Sequence, residues 1–230
     1  MKTIALLFFL ACSLSTFAQG DYQLNQAIDF FRTNKMVNGE IKNMISEKDI
    51  EGSPYLNPEF IKGDVYTSSK VKFVEIPLRY NIYNDEMQFQ SPDGKVAAIA
   101  APEIIEKVTF GDYTMEYIPF ISAKKIRRGF FKLVVKGNAT LYARPNIEYR
   151  QPVPPGAYKE PEPARFLEKT DSYYIRIGMD AAQKIESKSD LENVFPDHAK
   201  EVANFIKKNK VNQRKEDKLK ALVEYYNSLQ

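Results

Sequence analysis

The chain has 230 residues, 43% of them hydrophobic, which fits one large globular domain or a domain with an appendage. Its 33 Lys and Arg against 30 Asp and Glu leave a net charge of +3, which argues against nucleic acid as the main partner, because phosphate recognition needs a clearly basic face. A single cysteine, Cys12, and a single histidine, His198, exclude zinc–thiolate sites, Cys–His catalysis and multi-histidine metal sites.

The N-terminus has the form of a secretory signal spanning residues 1–18. Lys2 supplies the positive start, Ile4 to Ala11 the apolar run and Thr16-Phe17-Ala18 the small residues of a cleavage site. Cleavage after Ala18 would remove Cys12 and leave a cysteine-free, cysteine-independent fold suited to an oxidising compartment. A lipid-attachment signal is the competing reading, since Phe9-Leu10-Ala11-Cys12 half fits one, but the apolar run before Cys12 is short for it. Free release, to the periplasm or an outer-membrane-associated location, is therefore expected over anchoring at Cys12. No later stretch reaches the roughly 18 apolar residues of a spanning helix, so the mature chain is expected not to cross a membrane.

Residues 21–37 predict a helix, with Leu24, Ile28 and Phe31 on one face. From residue 51 to 150 the pattern is strand after strand. Val74, Ile76, Leu78, Tyr80 and Ile82 alternate with Phe73, Glu75, Arg79, Asn81 and Tyr83, so the first set is expected inside and the second outside. Asn84-Asp85-Glu86 and Ser91-Pro92-Asp93-Gly94 read as turns around a strand at Met87 and Phe89. Further strands are expected at residues 96–100, 104–110, 113–117, 130–135 and 139–143, with Gly137-Asn138 as a hairpin turn. Pro77, Pro102, Pro119 and Pro145 should fall at edges, strand ends or bulges, because proline cannot donate to a ladder.

Residues 151–165 are rich in proline and predict an extended, semi-rigid spacer. Beyond it, Tyr173 to Gly178 reads as a strand that pairs with Ala182 to Ile185. Ser189-Asp190-Leu191-Glu192 has capping-box form. A helix carrying Val202, Phe205 and Ile206 follows, and then one capped by Asn212 with Leu219, Leu222, Val223, Tyr226 and Leu229 in a stripe. The expected fold class is α+β: a curved antiparallel sheet (meander, sandwich or half-open barrel) with a C-terminal strand pair and helical hairpin.

No residue pattern points to catalysis, a cofactor or a metal. His198, beside Pro196-Asp197, reads as a surface residue near a helix start, and the acid pairs Glu103/Glu106 and Asp85/Glu86 as solvated surface groups. Lys124, Lys125, Arg127 and Arg128 form the densest basic cluster, fit to meet lipid head groups, lipopolysaccharide phosphates or an acidic protein. With Phe73 and Tyr83 on one sheet surface, these residues make up the candidate interaction surface. Asn138-Ala139-Thr140 matches a glycan acceptor, read here as coincidence.

Gly52-Ser53-Pro54-Tyr55-Leu56-Asn57, Phe60-Ile61-Lys62-Gly63, Val74 to Phe89, and the ending built on Phe195-Pro196-Asp197-His198 and Tyr225-Tyr226-Asn227-Ser228-Leu229 carry a resemblance across most of the mature chain. The chain resembles small exported, β-rich proteins of Bacteroidota-type Gram-negative bacteria. That resemblance implies a periplasmic or surface location and brings no functional residues with it. The expected function is a non-enzymatic interaction protein, an accessory subunit of an outer-membrane assembly or secretion machine that contacts another envelope protein. Two alternatives stand beside it: a carrier or sensor of an apolar or lipid ligand in a cavity lined by Ile76, Tyr80 and Met115, and a carboxylate-dependent hydrolase.

Overall fold

The structure, a computed structural model, describes residues 24, 26, 27, 50–156 and 160–230. The leader, Cys12, and the expected helix contacts of Ile28 and Phe31 lie outside these residues. Ten strands form one antiparallel sheet: β1 (Ile61–Thr67), β2 (Lys72–Asn81), β3 (Glu86–Gln90), β4 (Val96–Ala98), β5 (Ile105–Phe110), β6 (Tyr113–Ser122), β7 (Lys125–Val135), β8 (Ala139–Arg150), β9 (Arg165–Ile177) and β10 (Gln183–Lys184). Helices α1 (Lys188–Asn193), α2 (Ala199–Asn209) and α3 (Glu216–Asn227) follow. The fold is α+β, a curled sheet with C-terminal helices. No helix among the described residues is long and apolar enough to cross a membrane.

The strand order is β10-β9-β8-β7-β6-β5-β1-β2-β3-β4. The chain steps outward from β1 to the β4 edge, returns to the other flank of β1 with β5, and then meanders to β10. Period-two burial drives this, and one bulge shifts it. Gly63 pairs with Ile76 but Val65 pairs with Phe73, so β2 carries an extra residue there, and Glu75 takes φ 54° to absorb it. Parity flips at that point. Phe73, expected outside, is 2% exposed and belongs to the core. Of the prolines, Pro102 opens a short 3-10 turn and Pro145 sits at the bulge between Arg144 and Asn146. Pro77 lies one residue beyond the paired stretch of β2 and β3, while Pro119 lies within β6.

Three packed clusters organise the molecule. The first fills the concavity of β1 to β7 with Ile76, Leu78, Tyr80, Met87, Phe89 and Met115, among others, and helical Leu24 and Ala27 pack into it. Ile76, Tyr80 and Met115, named above as cavity lining, are at most 1% exposed and lie side by side in this cluster. The second joins Ile118, Phe120, Phe131, Tyr142, Tyr174 and Ala182. Here the sheet curls until the residues leading into β10 return to β6: Ala182 N–H donates to the Pro119 carbonyl and Ile121 N–H donates to the Ala182 carbonyl, both at 2.9 Å. Phe130 packs in the first cluster and Phe131 in the second, so β7 is covered on both faces at that level.

The third cluster lies between β8–β9 and the helices. Leu219, Leu222, Val223 and Tyr226 of α3 are 0% exposed, against Leu141, Ala143 and Ile175 of the sheet. Burying each such side chain stabilises by about 2 kcal/mol. The apolar stripe expected on the terminal helix is therefore covered by the chain's own sheet. Asn227 stitches the helix end to the β7–β8 turn, donating to the Ala139 carbonyl and accepting from Ala139 N–H, both at 2.8 Å. Gly137 makes room for it, since a Cβ there would lie 2.2 Å from Asn227 Nδ2.

Two cap positions differ from expectation. The capping box is Ser187 with Asp190, two residues before the expected one, because Asp190 takes the Glu186 and Ser187 N–H groups. Asn212 turns the chain by accepting from Arg214 N–H, and the cap of α3 is Lys215. His198 does sit at the start of α2, in left-handed backbone at φ 53°. The proline-rich segment closes a hairpin rather than spacing apart two bodies: β8 and β9 pair from Ala139–Ile177 to Arg150–Arg165, and Val153 and Glu162 exchange bonds at 2.8 and 3.0 Å beyond them.

Candidate interaction surface

β6 and β7 are paired as far as Ser122 and Lys125, joined by Ala123 and Lys124 at φ 49° and 61°. Positive φ at both central residues is the mark of a type I′ turn, whose twist matches that of a hairpin. Neither residue is glycine or asparagine, so each strains the backbone by about 1 kcal/mol. This turn continues the hairpin past the sheet body as an arm. Lys124, Lys125, Arg127 and Arg128 all fall on it and are exposed, as are Ile121 at 42% and Ile126 at 72%.

Cross-strand partners share a face, so Ile121, Ile126 and Arg128 lie on one side and Lys125 and Arg127 on the other. Arg128 rests over the Tyr117 ring, 5.5 Å from its centre. Among the described residues none of the four cations has a carboxylate within 4 Å. Lys132, further down β7, contrasts with them: it pairs with Asp171 and Glu216 at 3.5 and 3.2 Å.

The arm begins where β7 and β8 diverge. Asp85, from the β2–β3 turn, fills the fork. Its Oδ1 accepts from the Tyr80 hydroxyl at 2.7 Å and Phe130 N–H at 3.1 Å, and its Oδ2 accepts from Arg144 at 3.0 Å. Arg144 also lies over Phe120, 4.6 Å from the ring centre. Gly129 allows this approach, because a Cβ there would lie 2.5 Å from Asp85 Oδ2. Tyr83, two residues before Asp85, is 53% exposed and packs its ring 6.0 Å from Tyr149 and 5.4 Å from Phe166. The structure thus joins the four cations, places Tyr83 beside the fork, and removes Phe73 from the surface.

Asp85 was read as a solvated turn residue, and its fixed partners are what sequence patterning missed. Glu106, of the other acid pair, is held below the usual carboxylate range by its hydrogen bond from Lys70 at 2.7 Å. The proline hairpin carries an open groove of about 470 Å³ lined by Pro152, Val153, Pro154, Pro161, Glu162 and Pro163. Its one carboxylate, Glu162, is already paired with Arg165 at 2.7 Å.

Burial, then the charge of Asp85, holds the Tyr80 hydroxyl well above its ordinary pKa, and burial with Glu116 does the same for Tyr142. Tyr173 is pushed up to about 12 by burial and by Glu216. A raised folded pKa means that the stabilisation is complete below the unfolded value of about 10 and is lost as pH climbs from there. Chemical denaturation should therefore give a flat stability from pH 8 to 10 and a steep fall above it, measured by fluorescence of the tyrosines. Comparison of the chain with family models, with curated proteins and with solved structures returns no match.

Proposed function

We propose that this chain is a non-enzymatic interaction protein that works by contact through the β6–β7 arm. We further propose that it is exported and serves as an accessory subunit of an outer-membrane assembly or secretion machine. One observation carries the first part: four exposed cations and two exposed isoleucines stand together on a strained, tightly turned hairpin and none of the cations has an acid partner among the described residues. Surface charges are normally interspersed with opposite ones, so a one-sign projection marks a contact site for something negative. Export rests on Lys2, the run Ile4 to Ala11, Thr16-Phe17-Ala18, and the resemblance to small exported proteins.

Tagged protein should recover a stoichiometric partner from cell-envelope extract. Reversing Arg127 and Arg128 together to Glu should cut that recovery by about tenfold or more at low salt, since each such charge pair is worth on the order of 1 kcal/mol. Equal recovery by wild type and the reversed variant would rule out the arm as the contact site.

A further inference from the structure

The two-residue turn fixes which backbone groups of the arm face β6. In a hairpin closed this way the flanking pair exchanges hydrogen bonds, and bonding and non-bonding pairs alternate from there. Ser122–Lys125 is the flanking pair, so Phe120–Arg127 and Ile118–Gly129 also bond across the hairpin. Ile126, Arg128 and Phe130 then turn N–H and C=O away from β6. The outward bonds agree with this phase. Phe130 N–H reaches Asp85, and on the far flank of β6 the Pro119 carbonyl and Ile121 N–H are taken by Ala182. Lower down, Lys132 pairs with Ala143 of β8. Among the described residues no strand lies beside Ile126 and Arg128, where the arm has left β8 behind.

We infer that this free edge of β7 takes an extended, acidic segment of a protein partner as an added strand. The inference rests on the reading of the chain as a contact protein and names the chemistry of its partner. Main-chain bonds to Ile126 and Arg128 hold the segment, and its carboxylates meet Lys125, Arg127 and Arg128. Charge complementarity selects the occupant. A second copy of the arm would set like charges opposite one another, which opposes pairing. The edge is also held ready: the tight turn and the Ala182 bonds fix β6 behind it, so little ordering is left for binding. Anionic lipid would use the same cations and the Ile126 side chain but would leave the backbone edge unpaired.

That difference sets the test. The full chain is titrated with a capped peptide of alternating Glu and Val, with the same peptide N-methylated on alternate amides, and with phosphatidylglycerol vesicles. Binding of the plain peptide should protect the Ile126 and Arg128 amides from hydrogen exchange. Ile126→Pro, which removes an outward N–H and no β6 bond, should weaken binding about tenfold, the worth of one or two main-chain bonds. Ile126→Ala keeps every backbone group of the edge, so Ile126→Pro should bind about tenfold more weakly than Ile126→Ala as well as than wild type. Loss of binding on N-methylation gives the same answer should Ile126→Pro fail to fold. Equal binding by both peptides, or vesicle binding without peptide binding, overturns strand addition. Should the Arg127/Arg128 reversal still abolish envelope capture, contact through the arm survives that result; should it not, both fall.

Discussion

Replacing Asp85 with alanine should destabilise the protein by about 3 kcal/mol, read from the urea midpoint at unchanged m-value. Three donors lose their acceptor at once: the Tyr80 hydroxyl, Phe130 N–H and the Arg144 guanidinium. A deeply buried pair broken this way costs about 3–5 kcal/mol, and the side chains of Asp85 and Arg144 are each 24% exposed, which places the loss at the low end. Backbone strain adds to it, since Asp85 sits at φ 56°, where aspartate and asparagine are tolerated better than alanine. Asp85→Asn keeps the left-handed backbone and an acceptor, loses the charge, and should cost about half as much. A loss below about 1 kcal/mol for alanine would mean that water already satisfies the fork in solution.

Asp85 also illustrates what a sequence conceals. Its partners lie 5, 45 and 59 residues away, and only the meeting of three strands brings them together. The strands themselves were legible, because alternation and turn chemistry are local: Gly137-Asn138 between β7 and β8 and Ser91 to Gly94 between β3 and β4 fall where expected. Phe73 falls on the other face because a bulge inverts parity at Glu75, a residue type that does not itself mark one, although Gly63 stands at the register shift and Pro77 two residues further on. The turn of the arm is not legible in the sequence, because Ala123-Lys124 lacks the Asn-Gly signature of a type I′ turn. Its cations are visible in the sequence, but not that a hairpin carries them away from the acids among the described residues. The capping box was displaced because Ser187 and Ser189 both precede an acid by three residues, and only the bonds made by Asp190 decide between them.

Phe131→Ala should cost more than any change on the surface, about 4 kcal/mol, because the ring is 0% exposed and its removal leaves a cavity that rigid strands cannot close. Phe131 stands at the centre of the second cluster, edge-on to Phe120 at 5.1 Å, Tyr142 at 6.1 Å and Tyr174 at 4.8 Å. Phe120 in turn lies beside the bonds that Ala182 makes to β6. Loosening this cluster should therefore release the closure of the curl, seen as faster hydrogen exchange at the Ala182 and Ile121 amides. Leu222→Ala is the matched control: it is equally buried, but in the cluster under α3, and should cost a similar 3–4 kcal/mol while leaving those two amides protected. If both variants accelerate exchange there alike, the clusters open as one unit, and the arm is held by the whole core rather than by its own aromatic clasp.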